Sequence, residues 1–156
     1  MPPKVKPIPD GYHAITPYLS IKGAAEAIDF YTRAFGATEV MRMGQPDGRV
    51  GHAEMKIGDS KFMLADEFPD MDFRGPLSFG GSPVHLHLYV EDCDAVVKQA
   101  VSAGARVLRP VQDQFYGDRS GSIADPYGHV WHVATHKEDL TPEEIGRRAA
   151  AQHKPG

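Results

Sequence analysis

Two periodicities alternate along the chain, and together they divide it into elements. From residue 14, Ile15, Pro17, Leu19 and Ile21 alternate with Thr16, Tyr18 and Ser20, the two-residue period of a strand. Pro17 places that strand at an edge or a bulge, because proline has no N–H to give a ladder. Ala24, Ala27, Ile28, Tyr31 and Phe35 then recur at three- and four-residue spacing, which predicts a helix stopped by Gly36. Strands follow over 38–43, 52–57 and 61–65, separated by the turn formers Gln45-Pro46-Asp47-Gly48 and Gly58-Asp59-Ser60. The order is β-α-β-β-β.

The same order then begins again. Val84, Leu86, Leu88 and Val90 alternate with His85, His87 and Tyr89; Asp92 stands as an N-cap, and Ala95, Val96, Ala100 and Val101 mark a helix closed by Gly104. Strands are expected at 107–108, 120–124 and 130–134, with a long loop between Pro110 and Gly121. Phe35-Gly36-Ala37 falls on Ala103-Gly104-Ala105 and Ile21 on Val90, offsets of 68 and 69 residues. An internal repeat of one supersecondary unit is therefore expected, and the fold class is α+β.

Around the two modules, 12–66 and 83–136, lie three further segments. Residues 1–11 are proline-rich and aperiodic and read as a flexible arm; 67–82, rich in Pro, Asp and Gly, read as a linker. Within 137–156, Thr141-Pro142-Glu143-Glu144 has the form of an N-cap, an N1 proline and a capping-box Glu, and predicts a short helix to about Gln152 on the surface or on a partner subunit.

Composition narrows the function classes. The hydrophobic fraction of 41% and charged fraction of 24% over 156 residues suit a soluble globular chain. A net charge of −4 with basic residues scattered singly argues against nucleic acid as a partner. The single Cys93 cannot form an intrachain disulfide or a multi-cysteine zinc cluster, and it fits a reducing compartment. No apolar run reaches spanning length and no signal-peptide h-region follows the first residues, so a cytoplasmic location without membrane contact is expected. Phosphate loops, nucleophile elbows and His-Glu-x-x-His helices are absent from the sequence.

Candidate chemistry gathers on the polar face of the 84–90 strand. Two imidazoles and a phenol on one side need water, hydrogen-bond partners, a metal or a ligand. His87 could be a supporting group, a general base or a hydrogen-bonded wall residue. In the long loop, Phe115 and Tyr116 could hold a planar ligand while Arg119 clamps an anionic group; equally, the aromatics could fasten the loop and Arg119 could pair with Asp113 or Asp118. Trp131 points to the core. Met41, Met43, Met55 and Met63 read as core or as a pliable pocket. His129 is expected at the surface, His13 and His52 solvated or interfacial, and Cys93 and His136 without an assigned role.

The helix phrase Ala27-Ile28-Asp29-Phe30-Tyr31 ending in Phe35-Gly36, and Asp125-Pro126-Tyr127-Gly128-His129 before the last strand, resemble the vicinal oxygen chelate superfamily of glyoxalases, bleomycin-resistance proteins and dioxygenases. Phe115-Tyr116-Gly117-Asp118-Arg119 and His129 to His136 resemble its glyoxalase-like branch near phosphonate-metabolism proteins. The resemblance implies two modules whose curled mixed sheets form an open cup, usually completed in a homodimer. It also implies metal-ligand positions at Thr16, about Met63, His85 and His132. Of these only His85 and His132 are good donors for Zn, Ni, Mn or Fe, and a carboxylate from Glu54, Asp66 or Glu67 could supply a third. Two functions follow as expectations. One is small-molecule binding in a cup lined by Tyr18, His85, His87, Tyr89, Phe115, Tyr116, Arg119 and His132. The other is a metal-dependent lyase, isomerase or transferase using His85 and His132. A structural, partner-binding module is a third reading.

Overall fold

The structure, a computed structural model, describes residues 4–153. Met1 to Pro3 of the expected arm and Lys154 to Gly156 of the tail lie outside the described residues. The chain divides between Gly81 and Ser82 into two compact units. Among the described residues no helix is long and apolar enough to cross a membrane.

In the first unit β1 (Tyr18–Ile21), α1 (Ala24–Phe35), β2 (Thr38–Gly44), β3 (Val50–Ile57) and β4 (Ser60–Asp66) follow in sequence. The sheet order is β1-β4-β3-β2, with β1 parallel to β4 and the other pairs antiparallel. β1 is an edge, as Pro17 requires, and it is shorter than the sequence pattern: Ile15 is 89% exposed and precedes it. Helix α1 follows its three- and four-residue spacing and buries Ala24, Ala27, Ile28, Phe30, Tyr31 and Ala34. Tyr31 meets Phe62 of β4 edge-on at 5.5 Å, and Gly36 closes the helix at φ 67°.

The start of α1 has no local cap, since Gly23 is the N-cap residue. Asp66, the last residue of β4, takes that role from a distance: Oδ1 accepts from the backbone N–H groups of Gly23 and Ala24, each at 3.0 Å, and Oδ2 accepts from Val50 N–H at 2.7 Å. Asp66 is buried, and its oxygens hold three backbone donors where the sequence suggested a metal ligand. The segment read as the linker has local structure of its own. It carries a 3₁₀ turn (Pro69–Met71), a Phe68–Phe73 bridge and the single-turn α2 (Pro76–Phe79). Gly75 sits so close to β1 that a Cβ there would lie 2.5 Å from the Ser20 carbonyl oxygen.

The second unit repeats the plan with β5 (His85–Tyr89), α3 (Cys93–Ala103), β6 (Arg106–Asp113), β7 (Asp118–Ala124) and β8 (Val130–His136) in the order β5-β8-β7-β6. The repeat extends to register: Tyr18 opposes Met63 in the first unit as His87 opposes His132 in the second. Asp92 caps α3 through Ala95 N–H, and Thr135 Oγ1, at the position of Asp66, accepts from Cys93 N–H at 2.9 Å. Val84 is 69% exposed and lies outside β5, while Leu86, Leu88 and Val90 are half-buried. The core beneath contains Val97, Ala100, Ile123, Trp131 and Val133, and Asp125 accepts from the Trp131 indole N–H at 2.9 Å. His129, expected at the surface, is buried.

The expected long loop is a hairpin. β6 runs through Pro110, tolerated because β6 is an edge with register shifts between Val107 and Gln112. Gly121 makes room on the facing strand, where a Cβ would come within 2.8 Å of Val111 Cγ2. Helix α4 (Pro142–Gln152) starts as expected, with Thr141 Oγ1 accepting from Glu144 N–H at 3.1 Å. The Glu144 carboxylate, however, takes Arg147 and Arg148, and this pairing holds it down at about 2.

Candidate functional site

The alternation of β5 places His85, His87 and Tyr89 on one exposed face. His132 reaches the same face from β8, its ring 5.1 Å from that of His85 and 6.0 Å from that of His87. The contact with His85 is direct, Nδ1 to His132 Nε2 at 2.9 Å, and the other His132 nitrogen lies 2.7 Å from Ser122 Oγ. One ring donates and the other accepts between His85 Nδ1 and His132 Nε2, so a single proton lies between the two nitrogens. Burial lowers the His132 pKa, and the nearby His85, His87 and Arg109 lower it further.

A second cluster closes the lower end of that strand pair. Tyr89 donates its hydroxyl hydrogen to the buried Asp118 carboxylate at 2.8 Å; His136 Nδ1 lies 2.8 Å from the other Asp118 oxygen, and its Nε2 2.8 Å from exposed Asp139. Asp118 first and Asp139 second raise the His136 pKa. Two histidines four residues apart on β8 therefore respond oppositely to pH. A raised native pKa gives stability that is complete below the unfolded value of about 6.5 and lost as pH rises. A lowered one gives stability present above about 6.5 and lost as pH falls. Denaturation of wild type against His136→Gln should give a stability advantage that shrinks from about pH 6 to 8. Against His132→Gln the advantage should shrink from about pH 7 to 5, and slopes of the same sign would contradict both assignments.

The candidate ligand loop turns inward. Arg119 grips Asp94 of α3 with two nitrogens, at 2.7 and 3.0 Å, and reaches Asp113 at 3.2 Å, so its fork is committed inside the unit. The Asp113 pairing was among the sequence alternatives; Asp94, a helix away, was not. Phe115 and Tyr116 meet edge-on at 5.2 Å at the hairpin tip, and the Phe115 carbonyl accepts from Arg148 of α4. Cys93 is buried, its Sγ 3.3 Å from the Arg119 carbonyl.

The first unit links into one chain groups that the sequence reading named separately, Tyr18 as a ligand contact, Glu54 as a possible metal ligand and His52 as solvated or interfacial. Tyr18 Oη lies 2.7 Å from His52 Nδ1, and His52 Nε2 lies 2.9 Å from Glu54 Oε2. Tyr12 donates its hydroxyl hydrogen to the other Glu54 oxygen, and the Lys61 ammonium stands 4.6 Å over the Tyr12 ring. His52, expected to be solvated or interfacial, is thus held on both nitrogens. The signal available was the His52-x-Glu54 spacing, which puts both side chains on one face of β3. Burial raises the Tyr18 pKa, which keeps its hydroxyl protonated. Met41, Met43 and Met63 lie beside this chain, whereas Met55 is core.

The donor set decides how a metal would fare. A catalytic divalent metal usually takes three protein ligands. Unit 2 offers the imidazoles of His85 and His132, already bonded to each other, and Thr16 and Met63 supply nothing comparable in unit 1. Glu54 is engaged by Tyr12 and His52, and Glu67 accepts from Ser78 at 2.6 Å. Among the described residues no three His, Cys, Asp or Glu side chains converge to hold an ion. Within either unit the residues do not fit a three-ligand metal centre.

Comparison with known proteins places these features in a family. An uncharacterized protein of Mycobacterium tuberculosis (strain ATCC 25618 / H37Rv) is 41% identical over 142 residues, 89% of this chain and 84% of the relative. The PhnB protein of Bacillus cereus is 22% identical with a TM-score of 0.63, over 79% of this chain and 99% of that one. TnmS3, an antibiotic binding protein from Streptomyces sp. CB03234, is 22% identical with a TM-score of 0.59, over 81% of this chain and all 100% of its own. The family model matches residues 13–133, nearly all of both repeats, and the chain belongs to the Glyoxalase/Bleomycin resistance protein/Dioxygenase superfamily.

Proposed function

We propose that this protein binds a small molecule, as the similarly folded antibiotic binding protein TnmS3 binds an antibiotic, and that the histidine face of β5 and β8 is a contact surface for it. The observation that carries this reading is the exposure of His85, His87 and Tyr89 beside half-buried His132 on one face. Imidazoles and a phenol combine flat apolar surface with switchable donors and acceptors, which suits a ligand of mixed polarity. The committed Arg119 fork makes an anion clamp at the hairpin a poorer second contact.

A library of natural-product-like compounds screened by thermal shift tests the reading. A true ligand at about a hundred times its Kd should stabilise the protein by about 2.7 kcal/mol. His85→Gln with His132→Gln should weaken that binding by about tenfold or more, and mass spectrometry should recover the compound unchanged. Consumption of the compound, or binding that needs added Zn, Ni, Mn or Fe, would favour metal-dependent chemistry at the same histidines.

A further inference from the structure

On the basis of that binding role, we infer that Tyr18, His52 and Glu54 form a proton-accepting relay on the first unit, which selects ligands carrying a weakly acidic O–H group, such as a phenol or enol. The order of the groups dictates its direction. An ionised Glu54 can only accept, so His52 Nε2 carries the hydrogen directed at it and Nδ1 is left as the acceptor. Tyr18 therefore donates its hydroxyl hydrogen to Nδ1, and the lone pairs of Oη remain for an incoming donor. Tyr18 is 46% exposed, whereas the side chains of His52 and Glu54 are only 23% and 19% exposed, so the relay meets solvent through the phenol.

The proton count closes without any further reagent. The ligand O–H proton passes to Tyr18 Oη as the Tyr18 proton passes to His52 Nδ1, leaving a ligand oxyanion hydrogen-bonded to a neutral phenol. The imidazolium so formed is paired with the Glu54 carboxylate, which also holds Tyr12. The Tyr18 side chain never becomes a free phenolate, in keeping with its raised pKa. Tyr18 touches the ligand; His52 and Glu54 are positioning residues. The titratable groups bonded to His52 are Tyr18 from β1 and Glu54 from its own strand; Tyr12 from the N-terminal segment reaches Glu54, with Lys61 of β4 over the Tyr12 ring. Across β2 its register partner, Met43, is uncharged.

The probes are 4-nitrophenol, whose phenolate absorbs visibly, and 4-nitroanisole, which has no hydroxyl. On the full chain, below the probe's own pKa, the ionised fraction of bound 4-nitrophenol should rise about tenfold, one pKa unit, over the free probe. Tyr18→Phe and His52→Gln should abolish the rise, Glu54→Gln should reduce it, and 4-nitroanisole should bind about tenfold more weakly. Nitrogen-15 NMR of the free protein should find His52 Nδ1 unprotonated, a state lost in Glu54→Gln; this readout keeps a folded but inactive variant informative. Equal binding of the two probes, absence of 4-nitrophenol binding, or a phenolate band indifferent to Tyr18→Phe and His52→Gln would overturn the relay. If a library ligand binds while these variants leave it untouched, the relay fails and the binding role stands.

Discussion

Asp66→Ala is expected to destabilise the first unit by about 3–5 kcal/mol, a large fraction of the stability of a domain this size. The carboxylate serves the backbone N–H groups of Gly23, Ala24 and Val50, and alanine leaves all three without their acceptor at buried or half-buried positions. It also removes a negative charge from the start of α1, where the aligned peptide dipoles favour one. Asp66→Asn separates the two effects. An amide keeps one acceptor oxygen for Gly23 and Ala24 but presents N–H to Val50 N–H, so the loss should be about 1–3 kcal/mol. Urea denaturation followed by far-ultraviolet circular dichroism measures both. A loss below about 1 kcal/mol for Asp66→Ala would mean that water replaces the carboxylate.

In the second unit the comparable prediction is Gly117→Ala, expected to cost about 2–4 kcal/mol. Gly117 sits at φ 99°, and a Cβ there would lie 2.6 Å from the backbone oxygen of Glu138. Its own carbonyl accepts from both Lys137 and Glu138 N–H at 2.9 Å, so the hairpin tip cannot move without releasing the connection to α4. Gly48→Ala is the control. Gly48 has a similar φ of 89° but nothing within 4 Å of an added Cβ, so its loss should be only about 1 kcal/mol. The difference between the two variants measures the collision. Amide exchange in α4 should speed up in Gly117→Ala alone.

The elements legible in the sequence are those whose cause is local. The α1 spacing, the Asp92 and Thr141 caps and the alternation of β5 are each decided within a few residues. Asp66 was open to misreading because its partners lie 16, 42 and 43 residues away, and no local pattern announces a strand-borne helix cap. Pro110 hid the length of β6 because proline argues against a central strand, and only the sheet order reveals an edge. The two polar clusters differ in the same way. Spacing puts His85 and His87 of the second unit on one face, but the His52–Tyr18 pairing of the first unit needs β1 and β3 on either side of β4 in one sheet. Arg119 illustrates the converse: a sequence rich in chemical promise is absorbed by an acidic neighbour on another element.

The single tryptophan and the single cysteine, Trp131 and Cys93, are both buried in the second unit. Indole fluorescence and thiol labelling therefore witness only half of the molecule. A variant that melts the first unit and spares the second would look native by either reporter. Conversely, reaction of Cys93 with a thiol reagent times the opening of the α3–β7 contact, where its Sγ meets the Arg119 carbonyl, with no engineered label. A tryptophan introduced on the first unit would give each half its own voice.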